Sequence, residues 1–429
     1  MTTSQLHEHL KSAQAASLFS ELYGPGAGEA PARYHSLLDR TVARYSSRAL
    51  RVFSAPGRVE LGGNHTDHNG GKVLAASVHL DSIAMVEPTG GTRVELISDG
   101  YPDPFIVELS DLRRRPAEEG RTEALIRGVA ARLASQGYKV GGYRGIVSSS
   151  VLPGSGLSSS ASIEILIGTI YSHLFNDGRI PMVALSLAGQ FAENIYFGKP
   201  CGLMDQIACA SGGVVAIDFK VSDEPIVHQV QTNFADYGYS LVVVDTGGSH
   251  ADLTPDYAAI PAEMRAVAAF FGRTLCRELE LSELLGSLSE LRSAVGDRAV
   301  LRALHFFADN DRVDRQINAL EHRRFTEYLD AVRRAGDSSW ELLQNNYSPS
   351  NPREQGVPLA LALSRSVLGE QAAVRIQGGG FAGTMQAYVP EALIGKYVKT
   401  MEDYFAKGCA TPIRVRATGA AELFRSEDQ

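Results

Sequence analysis

Residues 153–171, PGSGLSSSASIEILIGTIY, join a Gly/Ser-rich loop to an apolar helical face. Ile163, Leu166, Ile167, Ile170 and Tyr171, continuing to Leu174, recur at the spacing of one buried helix side. Ser158, Ser159 and Ser160 stand where the first turn begins, so their hydroxyls are placed to cap it. A glycine loop feeding a helix N-terminus offers unpaired N–H groups and the positive end of the helix dipole to an anion. Glycines let the backbone approach a phosphate, and serine hydroxyls donate to it or ligate a metal ion. An ordinary capped loop uses the same residues. The loop is not a Walker motif, because no Gly-Lys-Ser/Thr closes it, and the chain has no His-Arg-Asp catalytic loop.

Three further stretches carry polar groups in apolar or glycine-rich settings. Ala55–Gly71, APGRVELGGNHTDHNGG, packs Arg58, Asn64, His65, Asp67, His68 and Asn69 into one short region. That density suits a polyhydroxyl ligand, with Asp accepting from vicinal hydroxyls and His or Asn donating or accepting. It equally suits a loop of Asx turns. His65 and His68 lack a third metal ligand nearby. Glu193 sits on an amphipathic helix, and Asp205 stands in KPCGLMDQ (199–206); one can be a solvated carboxylate and the other an N-cap. Gln377–Gly383, QGGGFAG, has GxGxxG spacing, but a strand-like run follows instead of a helix, so it is no dinucleotide fingerprint.

The elements that must position these groups read as follows. Residues 1–50 are helical, broken by the turn at 24–31; strand-like runs cover Leu50–Phe53, Lys72–Val86, Thr92–Ser98 and Pro104–Leu109. A helix over Glu123–Gln136 and a strand over Gly145–Val151 precede the glycine loop, and a helix spans Met182–Tyr196. Gly213–Phe219 and Tyr239–Asp245 read as buried strands, and Pro255–Gln344 is mostly helical. Strands at Val374–Gln377, Met385–Val389 and Ile413–Arg416 flank a helix over Glu391–Phe405. Strand runs beside helix runs, without regular βαβ alternation, predict an α+β class.

A chain of 429 residues predicts two lobes. A net charge of −8 offers no basic field, which argues against nucleic acid as a partner. Four cysteines with no CxxC spacing fit a reducing cytoplasm without disulfides or zinc. The polar start MTTSQLHEHLKSAQ and the lack of an 18-residue apolar run argue against a signal peptide or membrane span, so a cytoplasmic location is expected.

Taken together, the four stretches resemble the GHMP small-molecule kinases and, within them, the galactokinases. That family's signature Gly-Arg-Val-Asn-Leu-Ile-Gly-Glu-His-Thr-Asp-Tyr-Asn-Gly-Gly stands here as GRVELGGNHTDHNGG (57–71). The Leu-Ser-Ser-Ser-Ala motif is matched by Pro153–Ala161, Pro-Cys-Gly-Ile-Met-Asp-Gln by PCGLMDQ (200–206) and Gly-Gly-Gly-Phe-Gly-Gly by GGGFAG (378–383). The motifs come in family order, from about residue 20 to the end. The resemblance implies an α+β fold of two lobes, each with a mixed or antiparallel sheet and packed helices, and an active site in the cleft between them. The lobes are expected over 1–210 and 211–429, with the last segment packing back on the first lobe. It implies a sugar-1-kinase using ATP and Mg2+, with small-molecule partners only and a monomeric chain. Asp205 then matches the catalytic base and Arg58 the arginine beside it. Pro153, Gly154, Ser155, Gly156, Leu157, Ser158, Ser159, Ser160, Gly379 and Gly380 match nucleotide-binding positions. Ser159, Ser160 and Glu193 match the metal ligands. Asn64, His65, Asp67, Gly202 and Tyr257 match sugar-contacting positions, Tyr257 through SHADLTPDY.

Departures from the family pattern cluster around the sugar. Asn64 replaces Glu, Glu60 replaces Asn, Gly62 replaces Ile, His68 replaces Tyr and Ala382 replaces Gly, while Asp-Tyr-Glu-Val-Ser-Cys-Pro-Glu becomes NNYSPSNPRE (345–354). Losing a carboxylate near the sugar's C6 end would admit a C6-altered sugar such as galacturonate, with Asn64 donating to it. Galactose and that relative are therefore both expected as substrates to test, and a non-catalytic sugar and ATP sensor is the reading from another class.

Overall fold

A computed structural model describes residues 1–151, 154, 156–221, 224–248 and 253–424 of the chain. Three helices, α1 (Thr3–His9), α2 (Ala13–Tyr23) and α3 (Ala30–Tyr45), form an N-terminal arm that packs on a long pair of antiparallel strands, β1 (Arg51–Gly62) and β2 (Lys72–Pro88). β1 is buried along nearly its whole length because its alternating side chains face different cores. Val52 joins the arm, with Leu22, Tyr34, Leu38 and Met85, while Phe53 faces a helical layer. Val59 and Leu61 face the second lobe. With both faces covered, a strand has no polar stripe.

The strands β3 (Arg93–Ser98), β4 (Phe105–Glu108) and β5 (Tyr143–Ser149) extend this sheet, and the helical layer is α4 (Thr122–Ser135), α5 (Ser159–Phe175), α6 (Met182–Phe191) and α7 (Met204–Ser211). β6 (Val214–Asp218) pairs with the first half of β2, β5 with its second half, and β7 (Ile226–Val230) adds on β6. The sheet runs β12-β1-β2-β5-β3-β4, where β12 (Ala421–Leu423) returns from the end of the chain to pair with β1. It therefore takes strands from both sides of residue 210. Only β3 and β5 are parallel among the described pairs.

The second lobe has a four-stranded antiparallel sheet, β11-β8-β10-β9, built from β8 (Tyr239–Asp245), β9 (Ala373–Ile376), β10 (Thr384–Pro390) and β11 (Ala410–Ile413). Around it lie α8 (Thr254–Phe270), α9 (Leu281–Gly286), α10 (Leu288–Val295), α11 (Asp297–Glu321), α12 (Phe325–Ser338), α13 (Gly356–Leu368) and α14 (Ile394–Tyr404). Val59, Leu61 and Leu74 of the first lobe share one apolar cluster with Val243, Leu320, Tyr328 and Tyr388 of the second. The two lobes are thus packed through a common core, and the α+β class with two sheets is what the chain adopts.

Some expected boundaries moved. The strand expected to stop at Phe53 runs on to Gly62, carrying Arg58 and Glu60 inside it. The helix expected over Met182–Tyr196 widens into a π-helical turn, Ala192–Phe197, that begins beside Glu193. The strand expected over Ile413–Arg416 lies instead at Ala410–Ile413, after which the chain crosses to β2, where Val78 and Val415 form an isolated bridge.

Candidate active site

The heads of α5 and α7 meet β1, and this junction brings the predicted charges together. Arg58 reaches from β1 to Asp205 in a bidentate pair, Nε to Oδ1 at 2.7 Å and Nη2 to Oδ2 at 2.9 Å. Its remaining Nη1 donates to Gly156 O at 2.7 Å. Asp205 is not the N-cap of α7, a place taken by Leu203; it lies in the first turn, where the helix dipole favours an anion. Burial alone would raise the Asp205 carboxyl, but the Arg58 charge and hydrogen bonds, with the Ser158 hydroxyl, hold it below the usual carboxylate range. Burial likewise disfavours the Arg58 cation, yet Asp205 keeps it charged.

The serines do other work than capping. Ser158 occupies the N-cap of α5 in a left-handed conformation, φ 58°, and no side chain caps the helix. Its hydroxyl donates instead to Asp205 Oδ2. The Ser160 hydroxyl donates to Glu193 Oε1 at 3.0 Å, and the Ser159 hydroxyl has no partner among the described residues. Leaving the first-turn N–H groups without a side-chain cap keeps them available to an anion. Gly154 and Gly156 both have positive φ, and a Cβ on Gly156 would lie 2.1 Å from Thr384 Oγ1, so the loop lies directly against the start of β10, just after GGGFAG. Leu157 is buried in the interlobe core and serves through its carbonyl, which accepts from Arg58 N at 3.0 Å. Pro153 and Ser155 lie outside the described residues.

Glu193 is a hub of oxygen and nitrogen contacts. Besides Ser160, it accepts from Lys199 Nζ at 3.3 Å and from Gln206 Nε2 at 3.2 Å. The same Gln206 amide donates to Glu164 Oε2 at 2.9 Å, while Glu164 Oε1 is buried without a partner. Burial first, and the neighbouring Glu193 charge second, push the Glu164 carboxyl well up. Sequence reading passed over Glu164, although an acid on the apolar side of a helix is the local signal of a buried, partnered group.

The Gly378–Gly380 loop is held from outside, one carbonyl at a time. Asn64 Nδ2 donates to Gly378 O at 2.8 Å, His65 Nε2 and Asn345 Nδ2 to Gly379 O at 2.7 and 3.1 Å, and the Tyr257 hydroxyl to Gly380 O at 2.8 Å. Burial lowers the His65 ring to about 3, so it is neutral and carries its proton on Nε2. Gly379 and Gly380 are packed tightly; a Cβ would come within 2.6 Å of the Tyr257 ring and 2.3 Å of Asn345 O respectively. Asp67 and Gly202 are also in contact, since a Cβ on Gly202 would lie 1.7 Å from Asp67 Oδ2. Asn64, expected beside the sugar, is engaged with protein groups. It is 0% exposed, its amide hydrogens go to Glu60 and Gly378 O, and its Oδ1 accepts from Asn345 at 2.8 Å.

The galactokinase galactose-binding signature matches residues 42–88, and the GHMP kinases N terminal domain matches residues 124–213. A galactokinase of Streptomyces coelicolor is 31% identical over 375 residues, covering 84% of this chain and 90% of that protein. The chain belongs to the galactokinase family. Among galactokinases of known structure, the Lactococcus lactis enzyme complexed with galactose superposes with a TM-score of 0.78 at 21% identity, covering 91% of this chain and 100% of that one. The mevalonate kinase of Methanococcus jannaschii gives a TM-score of 0.60 at 14% identity, covering 85% and 98%. These two likenesses carry the GHMP kinase fold. Membership in the galactokinase family makes the chain a phosphotransferase.

Proposed function

We propose that this enzyme transfers the γ-phosphoryl group of ATP to the anomeric hydroxyl of galactose. The bidentate Arg58–Asp205 pair, set between the glycine loop and the head of α7, is the observation that carries the reading. Asp205 Oδ1 accepts one bond from Arg58 and keeps a lone pair, and its side chain is 28% exposed, so a hydroxyl can reach it. A carboxylate held below its usual range is a weak base. It takes the proton as phosphoryl transfer makes the hydroxyl acidic, late in the step. Arg58 balances the charge of Asp205 and lies beside Gly156, where phosphate oxygens would sit. The uncapped α5 N-terminus with Gly154, Gly156 and Ser158 would receive the phosphates.

The donors around Glu193 fit Mg2+. Ser159, Ser160 and Glu193 present hard oxygens, and among the described residues no three acidic, His or Cys side chains form a cage. That is a site for a cation that keeps water and phosphate ligands. Bound there, Mg2+ would supply charge neutralisation on the phosphates. His65, Asp67, Gly202 and Tyr257 line the sugar side as supports and contacts. Asn64 offers no spare donor to a C6 carboxylate, which favours galactose over galacturonate. The intact Arg58, Asp205 and Glu193 favour turnover over a sensor role. We further infer that the enzyme works as a cytoplasmic monomer; the described residues contain no helix long and apolar enough to cross a membrane. An ADP-release assay over a hexose and uronate panel tests the substrate. Efficient turnover of galactose is expected, and turnover of galacturonate alone would overturn it.

A further inference from the structure

We propose that Glu60, Asn64 and Arg375 form one positioning unit, which sets the Gly378–Gly380 loop against the Arg58–Asp205 pair. The proposal rests on the sugar-kinase reading above. Glu60 lies on β1 and Arg375 on β9, both buried, so water is no partner to either charge. The Arg375 guanidinium donates to Glu60 Oε1, and the Asn64 amide donates to both Glu60 oxygens at 3.0 and 3.1 Å. The same amide nitrogen continues to Gly378 O at 2.8 Å. The other lobe closes around it: Asn64 N donates to Asp309 Oδ2 at 2.8 Å, and His305 Nε2 donates to Asn64 O at 2.9 Å. Arg312 Nε in turn holds Asp309 at 2.8 Å, and Gln386 Nε2 donates to Glu60 O at 2.7 Å. Asn64 is a strut with both ends fixed.

Gly378 is where the unit meets the chemistry. Its φ is +66°, and a Cβ there would lie 3.8 Å from Arg58 Nη2 and 3.9 Å from Gly156 O. The preceding Gln377 Nε2 donates to that same Gly156 O at 3.1 Å. Displacing Gly378 therefore disturbs the neighbourhood of Arg58 and, through Gln377, the Gly156 carbonyl that Arg58 also holds. A misplacement of an ångström at such a wall is enough to lower a rate about a hundredfold.

The residue types point the same way. Against the family pattern of Asn at position 60 and Glu at 64, carboxylate and amide have exchanged places here, and in this chain they face each other. Gly62, which replaces Ile, is filled by the other lobe. A Cβ there would sit 1.9 Å from Gln316 Oε1, and Gln316 Nε2 donates to Leu61 O at 2.9 Å. These departures are a matched set at the lobe junction and not an edit of the sugar-facing wall.

Glu60→Asn, Asn64→Glu and the double exchange, compared with the unmodified enzyme by steady-state kinetics and thermal unfolding, test the unit. Glu60→Asn strands the Arg375 charge, and Asn64→Glu sets carboxylate against carboxylate. Each single variant is expected to lower kcat/KM for the sugar about tenfold or more, with KM for ATP within about twofold. The double exchange still leaves Gly378 O without its donor, so its kcat/KM is expected to stay about tenfold or more below the unmodified enzyme while part of the unfolding temperature lost in the singles returns. If a single variant does not fold, Asn64→Ala, which removes the strut without adding charge, takes its place. Singles that lower only the unfolding temperature, or a double exchange that regains the full kcat/KM without the Asn64 amide, would overturn the proposal. An unmodified enzyme inactive on galactose would sink the substrate reading instead, and the same ratios are then measured on the sugar it accepts.

Discussion

At the scale of single residues, the proposed chemistry turns on one carboxylate that is kept ionised and reachable. Replacing Asp205 by Asn preserves shape and most hydrogen bonding but removes the proton acceptor. The expected loss in kcat is about 10²–10⁴-fold, read by ADP release, with KM for ATP little changed. The direction of the Asp205 shift also fixes the acid side of the pH profile. Arg58 holds the carboxyl below its ordinary range, so it stays ionised as pH falls through that range. Asp205 is expected to add no acid limb to kcat/KM between neutrality and about pH 5, the point where an unshifted Asp would begin to titrate; a limb near neutrality belongs to Glu60, whose carboxyl burial pushes up to about 7. An acid limb starting near pH 6 that survives in Glu60→Gln would contradict the assignment of Asp205 as base. His65 adds no limb of its own, since burial keeps it neutral throughout.

At the scale of elements, β12 shows how a three-residue strand is secured. Arg51 on β1 holds Glu422 through Nε and Nη2, both at 2.5 Å, and His173 of α5 approaches the same carboxylate at 3.3 Å. Burial alone would raise Glu422, but the bonds from His173 and Arg51 bring it to about 2. Its folded value therefore lies below the unfolded one near 4.3. The stability it contributes is present above that value and is lost as pH falls toward 2. The difference in unfolding temperature between the wild type and Glu422→Gln is expected to be largest above pH 5 and to shrink toward pH 2.

How far elements could be read in advance follows from what encodes them. The glycine loop and α5 were legible because loop composition and helical periodicity are local. β1 was cut short at Phe53 because Arg58 and Glu60 look like the end of a strand. Each is tolerated inside only because Asp205 and Arg375, distant in sequence, neutralise it. A lone Arg375 amid Ala373, Val374 and Ile376 was the available sign of such a pair. β7 left no pattern, since most of its side chains are exposed. The candidate site residues were named by motif, whereas their mutual bonds left no local sign. The partners Asn345, Asp309 and His305 sit on elements that no spacing links to residue 64.

At the scale of the whole molecule, one buried acid ties the arm, the large sheet and the end of the chain together. Asp81 on β2 accepts from Arg33 of α3 at 2.6 Å, Tyr23 of α2 at 2.8 Å, Ser54 of β1 at 2.5 Å and Arg416 at 3.0 Å. Asp81 and Arg416 are both fully buried. Asp81→Ala would leave the Arg416 cation without its counterion, at a cost of about 3–5 kcal/mol. Urea unfolding monitored by circular dichroism would measure it, and a loss under 1 kcal/mol would show the cluster to be dispensable. The pairing of β12 with β1 has a consequence for how the protein is made. Position 52 finds its partner at 423, so an emerging chain carries an open sheet edge until residue 423 has been made. At usual elongation rates that interval is on the order of tens of seconds. An unpaired edge of that kind invites association with other nascent chains until β12 closes it.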